Sequence, residues 1–113
     1  MQPVVLADPD AERRAASVFA LRSGALDVID TDTLETALSA VASDQPQALV
    51  LAAELCRIIT PARLSAALKA QPETEHIRLV VITPIGTSVD TDGADVVLTR
   101  PTTPVDLVRA VVA

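Results

Sequence analysis

Five short aliphatic runs alternate along this chain with longer stretches in which apolar residues recur every three or four positions. Val4-Val5-Leu6-Ala7, closed by Asp8-Pro9-Asp10, predicts a strand and a turn. Asp10 then caps a predicted helix over 11–23, its turns marked by Ala15, Val18, Phe19 and Arg22 and its end by Gly24. Residues 26–29 predict a second strand. Asp32 and Glu35 have capping-box spacing ahead of Leu34, Ala37, Leu38 and Val41, an i, i+3, i+4, i+7 set that predicts a second helix ending between Ser43 and Pro46. The third run, 48–52, is wholly aliphatic and suits a central strand. Thr60-Pro61 reads as an N-cap with proline at the first helical position, followed by Leu64, Ala67 and Leu68 on one face and limited by Pro72. Strands are expected at 77–82 and 95–99, and Thr103-Pro104 opens a last helix with Leu107, Val108 and Val111 inward.

Strands alternating with amphipathic helices predict a parallel sheet covered on both faces. One crossover lacks its helix. Between Thr83 and Gly93 lie a proline, a glycine and several β-branched or hydroxyl residues, which are poor helix formers. A loop, or at most one turn, is expected there, Thr87 and Ser88 included.

Composition agrees with this architecture. Half the residues are hydrophobic, yet Phe19 is the only aromatic, so the core must be built from Val, Leu, Ile and Ala. At 113 residues a single domain over 1–113 is expected. The net charge of −6, without a Lys/Arg cluster, excludes a nucleic-acid partner. Cys56 stands alone, which rules out an internal disulfide and fits a reducing cytosol. No apolar run is long enough to span a bilayer, and Met1-Gln2-Pro3 leads directly into the first strand, so no membrane association and a cytoplasmic location are expected. No Cys/His cluster, glycine-rich phosphate loop or nucleophile–base pair appears. No enzyme activity and no cofactor are expected.

Several segments, in order, resemble one family. Val4-Val5-Leu6-Ala7-Asp8 is a first strand ending in an acid; Leu68-Lys69-Ala70-Gln71-Pro72 leads through His76 to Ile77-Arg78-Leu79-Val80-Val81-Ile82-Thr83, a strand ending in a hydroxyl; Gly93-Ala94-Asp95 runs to Arg100-Pro101. Over nearly its whole length the chain is similar to the response-regulator receiver domain. The resemblance implies a flavodoxin-like α/β fold, a doubly wound five-stranded parallel sheet of order 2-1-3-4-5, with the family's fourth helix missing or reduced to a loop and its site at the carboxyl ends of the strands. In the family, an aspartate after the third strand accepts a phosphoryl group beside a divalent cation, which two acids after the first strand help to hold. A strand-four hydroxyl and a strand-five lysine hold the phosphoryl oxygens.

Position by position, the resemblance marks a degenerate site, that of a pseudo-receiver. Asp8 matches the first acid, Pro9 stands in place of the second, and Asp10 follows one place later. Thr83 matches the hydroxyl, and Arg100 replaces the lysine, exchanging a compact ammonium for a planar fork. Pro101 matches a proline whose preceding bond is usually cis in the family. Val97 stands where a switch aromatic is common. The acceptor falls on Ala53 when counted back from the third helix and on Ala52 when counted forward from Pro46; neither methyl can form an acyl phosphate. With Pro9 also in place a cation would lose two carboxylates, so no magnesium binding above background is expected.

Two readings accompany several of these residues. Glu54 is a solvated loop-end glutamate or a permanent mimic of the phosphorylated state, the former preferred. Asp10 is the helix N-cap rather than a metal ligand. Arg100 pairs with Asp8 across the site, or with Thr83 binds another anion. His76 carries no expected role, and Cys56 is expected to be buried and inert. The function expected is that of a phosphorylation-independent regulatory module in bacterial signalling, contacting a signalling protein, another domain of the same polypeptide or a second copy of itself through Val97, Val105, Val108 and Arg109. The alternatives are an irregular phosphorelay receiver using Asp8, Asp10 or Glu54, and a small-molecule sensor using the carboxyl-end crevice.

Overall fold

A computed structural model describes residues 2–86 and 89–112, and Thr87 and Ser88 of the expected loop lie outside the described residues. Strand β1 (Val4–Ala7) is followed by α1 (Ala11–Ser23), β2 (Val28–Thr31), α2 (Leu34–Asp44) and β3 (Ala48–Ala52). A short 3-10 helix (Ala53–Arg57), α3 (Pro61–Lys69), β4 (Arg78–Thr83), β5 (Val96–Thr99) and α4 (Pro104–Val112) complete the order. All strand pairs are parallel and the sheet runs β2-β1-β3-β4-β5.

Burial on both faces sets the register. Val4, Leu6, Ala48, Val50, Val80 and Ile82 point to one side, where α1 and α4 supply Val18, Leu21, Leu107 and Val111. Their neighbours Val5, Ala7, Leu49, Leu51, Leu79 and Val81 point to the other, against Ala37 and Val41 of α2 and Leu64 and Leu68 of α3. Slipping any of these strands by one residue would exchange its two apolar sets, so the pairing is strongly specified.

Element boundaries differ from expectation where local hydrogen bonding decides. Helix α1 ends in a turn closed by Leu26 N donating to Leu21 O at 3.2 Å, with Ala25 at φ 64° in the left-handed position. Leu26 is thus part of the helix cap, and β2 starts at Val28 rather than at residue 26. The cap of α2 moves along with it: Thr33, not Asp32, is the N-cap, its hydroxyl accepting from Thr36 N at 3.2 Å. Asp95 sits just before β5 and accepts from Leu79 N through its carboxylate at 2.8 Å. In α1 the residues at 15 and 19 face outward, and in α3 Ser65 rather than Ala67 is buried beside Leu64 and Leu68. Val108 is half-buried rather than fully inward, because it lies against the end of α1, where a Cβ on Gly24 would stand 2.7 Å from its Cγ2.

Residues 84–95 join β4 to β5, and among the described residues of that connection there is no helix. Val89 and Ala94 pack against the α2–α3 side of the core in its place. Gly93 fastens the segment: at φ +94° its backbone runs so close to α3 that an added Cβ would lie 2.4 Å from Ala62 Cα.

That approach makes Gly93 the tightest position of the connection. Gly93→Ala is expected to destabilise by about 2–4 kcal/mol, combining left-handed strain with a backbone collision. Gly86→Ala, also at positive φ but with open space around it, is expected to cost only about 1 kcal/mol. Urea unfolding of the two variants checks the difference; equal losses would count against the docking of the connection on α3.

Candidate functional site

The carboxyl ends of β1, β3, β4 and β5 bring Asp8, Ala53, Glu54, Thr83 and Arg100 to one edge of the sheet. Parallel strands leave this edge open for side chains from the loops that follow them. Asp8 follows β1 directly and is 4% exposed. Its Oδ1 accepts from the backbone N–H of Asp10 at 2.9 Å, which folds the turn over Pro9 and starts α1. Asp10 is the N-cap, accepting from Glu12 N and Arg13 N at 3.0 Å. The bond from Arg13 N, with the positive charges nearby, holds its carboxyl below the ordinary range although it is exposed.

Capping at Asp10 also decides where Arg13 falls, which the apolar spacing of α1 does not reveal. It places Arg13 in the first turn of α1, where side chains slant back toward the helix start. The Arg13 guanidinium therefore reaches Asp8, with Nη2 donating to Oδ1 at 2.9 Å and Nε to Oδ2 at 3.3 Å. The same Nη2 donates to Glu54 Oε2 at 2.5 Å. Its hydrogen bond to Asp8 raises the Arg13 pKa above its ordinary value, so this side chain is a permanent cation. Arg14 donates to the Asp8 carbonyl at 2.8 Å and completes the enclosure.

Arg100 approaches the same acids from β5. Nη1 donates to Glu54 Oε1 at 3.3 Å, while Nη2 stands 3.8 Å from Asp8 Oδ2 and has no hydrogen-bond partner. Its backbone N–H donates to Thr83 O at 2.9 Å, and the Arg100–Pro101 peptide is cis. Arg100 does face Asp8, as expected, but its closer partner is Glu54. Glu54 is accordingly no solvated loop-end residue: the 3-10 turn after β3 points it inward between two arginines. Burial opposes its ionisation, but its own backbone N–H, Arg13 and Arg100 together hold the carboxyl below the ordinary range.

Ala52 and Ala53 are both buried, and Pro9 is exposed. Thr83 is 8% exposed, with its hydroxyl directed to the Leu98 carbonyl at 3.4 Å. A crevice of about 540 Å³, walled by Ile82, Pro84 and Ile85, opens beside Arg13 and Arg100. The donor set does not suit a divalent cation, which needs several carboxylate or carbonyl oxygens. Two alanines and a proline provide no side-chain oxygen, both Asp8 oxygens accept from Arg13, and a further positive charge would face two guanidinium groups. Among the described residues no three His, Cys, Asp or Glu side chains converge.

The four surface residues singled out in the sequence do not share one patch. Val97 is level with Val81 and points to the α2–α3 side, whereas Val105, Val108 and Arg109 ride on α4 on the other side of the sheet. His76 is exposed. Cys56 is half-buried, and burial followed by the Glu54 charge pushes its thiol pKa up, away from reactivity.

No protein-family model and no curated protein sequence matches the chain. Solved structures do. A response-regulator receiver domain protein from Clostridium thermocellum superimposes with a TM-score of 0.78 at 17% identity, over 98% of this chain and 91% of that one. The chemotaxis response regulator CheY4 of Vibrio cholerae gives 0.77 at 16% identity, over 96% and 94%. A receiver-modulated diguanylate cyclase from Pelobacter carbinolicus gives 0.74 at 21% identity, over 96% and 87%. The fold is that of response-regulator receiver domains.

Glu54 offers a direct check on the charge cluster. Because its folded pKa lies below the ordinary value of 4.5, the stability it contributes is fully present above that pH and is lost as pH falls through the lowered pKa. Glu54→Gln is expected to cost about 1–2 kcal/mol at pH 7, with the gap to the wild type closing as the solution is taken from pH 5 toward pH 3. A gap independent of pH in urea titrations would show that the charge is not what matters there.

Proposed function

We propose that this chain is a phosphorylation-independent pseudo-receiver, a single regulatory domain of bacterial signalling that acts by contacting another protein and catalyses no reaction. The observation that carries the reading is the Arg13 guanidinium lodged between Asp8 and Glu54. In the receiver family a divalent cation serves acids at this edge. Here the chain brings its own cation on α1.

The acceptor side supports the same reading. Ala52 pairs with Ile82, so the next position, Ala53, is level with Thr83, the residue that matches the family's hydroxyl. That register favours Ala53 as the counterpart of the acceptor, and its methyl offers no nucleophile. Glu54 meanwhile gives Arg100 a carboxylate at 3.3 Å, a fixed negative charge against the residue that stands for the phosphoryl-binding lysine. With both charges internal, the domain is held in one state and has no need of phosphoryl transfer.

The connection between β4 and β5 fits this assignment. In the family, the fourth helix belongs to the face that reports phosphorylation, and a domain without that input can do without the helix. An irregular phosphorelay through Asp8, Asp10 or Glu54 is disfavoured because oxygens of each carboxylate accept from N–H groups. Location in the cytoplasm and independence from membranes belong to the same reading.

Acetyl phosphate or beryllofluoride with magnesium tests it. The amide signals of Thr83 and Arg100 are expected to stay in place at millimolar ligand. The double variant Pro9→Asp/Ala53→Asp is expected to remain a poor magnesium binder until Arg13→Ala is added, after which affinity rises about tenfold or more. Saturable shifts in the wild type would overturn the proposal.

A further inference from the structure

The chain's only aromatic residue is on the wrong side of its helix to serve the core: Phe19 is 74% exposed on α1. Val105 and Val112 of the adjacent α4 are 62% and 57% exposed. Three shallow hollows around these residues run into one another. One follows the β2 side of α1 past Arg14, Phe19 and Arg22; the next shares Phe19 with it and lies between α1 and the start of α4. A third shares Ala20 and Pro104 with the second and continues past Val105 and Val112 to Arg109.

The lining of this face is net positive. The hollows are lined by three arginines and a single acid, Asp30, on a chain whose net charge is −6. Arg14 and Arg22 donate to backbone carbonyls, and among the described residues no carboxylate pairs with either of them or with Arg109. Three further acids stand close by in the chain, Glu12 and Asp106 in the first turns of α1 and α4 and Asp27 between α1 and β2. An exposed aromatic with arginines around it, poor in acids, is the composition of a contact surface rather than of ordinary solvated surface.

The shape is a trough between two helices. At its end Gly24 has no side chain, so α4 closes on α1 through Val108 and leaves a shallow floor flanked by Phe19 and Val105. A third helix laid along this floor would bury the apolar residues, and its flanks would meet the arginines.

We propose that this face binds an amphipathic helix of a partner protein, one whose apolar stripe covers Phe19, Val105 and Val112 and whose flanking positions carry Asp and Glu. Apolar burial supplies affinity, and the arginine rim supplies orientation and discrimination against basic helices. The assignment rests on the reading of the domain as an interaction module. It places that interaction on α1 and α4 and leaves Val97 outside it.

Two stapled synthetic helices of about four turns, with one leucine stripe but either glutamate or lysine flanks, test the proposal by titration into isotope-labelled protein. The glutamate helix is expected to shift the amide signals of Phe19, Ser23, Val105 and Val112 saturably, and the lysine helix to bind at least about tenfold more weakly. Phe19→Ser and Arg22→Glu/Arg109→Glu, all at exposed positions, are each expected to weaken the glutamate helix by a similar factor while leaving the thermal midpoint nearly unchanged. Equal binding of both helices, shifts confined to another face, or no saturable shift would overturn it. So would sedimentation showing a wild-type dimer that Phe19→Ser makes monomeric, since the occupant would then be a second copy. Shifts at Thr83 with beryllofluoride would overturn phosphorylation independence and leave the helix result standing; silent Thr83 signals with no helix binding would overturn the surface alone.

Discussion

Two guanidinium groups and two carboxylates share the carboxyl edge of the sheet, and their mutual neutralisation is the constraint on which the rest of the site depends. Asp8 is almost wholly buried and Arg100 largely so. At an effective dielectric of about 20, a contact near 4 Å is worth about 4 kcal/mol of gross attraction. Desolvation takes back several kcal/mol for each buried ion. The cluster therefore adds little net stability, but it is costly to break in part. Removing one acid leaves an arginine facing its twin, and removing Arg13 leaves Asp8 in a buried position with its charge poorly met. A site built this way changes only when several residues change together.

The sheet decides which residues can take part. Because both faces are buried, the register is set by apolar alternation, and the residues that follow each strand arrive at the edge as a consequence. Asp8 and Glu54 are delivered by β1 and β3, and Arg100 by β5. Arg13 alone comes from a helix, and only because Asp10 caps α1 where it does. One N-cap thus links local backbone chemistry to the electrostatics of the site: had the helix begun a residue later, Arg13 would have turned away from Asp8.

Most of the scaffold could be read from the chain because its signals are local. Aliphatic runs marked β1, β3 and β4, and Asp10 and Thr60 marked helix starts, since hydrogen bonds within a few residues determine them. Boundaries slipped where a neighbour intervened. Leu26 looked like strand but closes the α1 cap, and Asp32 looked like a cap but gives way to Thr33 once β2 reaches Thr31. In the site, the matched positions Asp8, Thr83 and Arg100 converge as the resemblance implied. The role of Glu54 is not legible locally because its contacts lie 41 and 46 residues away in sequence, whereas Arg13 meets Asp8 only five residues before it. A basic residue three positions after an N-cap aspartate, itself preceded by an acid ending a strand, is the signal that could have found Arg13.

The same physics separates two parts of the molecule. At the sheet edge every full charge has an opposite within reach, so an incoming ion must displace existing contacts before it gains any. Around α1 and α4 the balance is reversed: Phe19 and two valines lie open to water, and Arg14, Arg22 and Arg109 have no carboxylate partner among the described residues. An arriving acidic partner there has no carboxylate among the described residues to displace. Since Arg13 and Arg14 are adjacent on α1, one helix serves both ends of this arrangement, its first turn meeting the acids of the sheet edge and its outer side leaving Phe19 open to water.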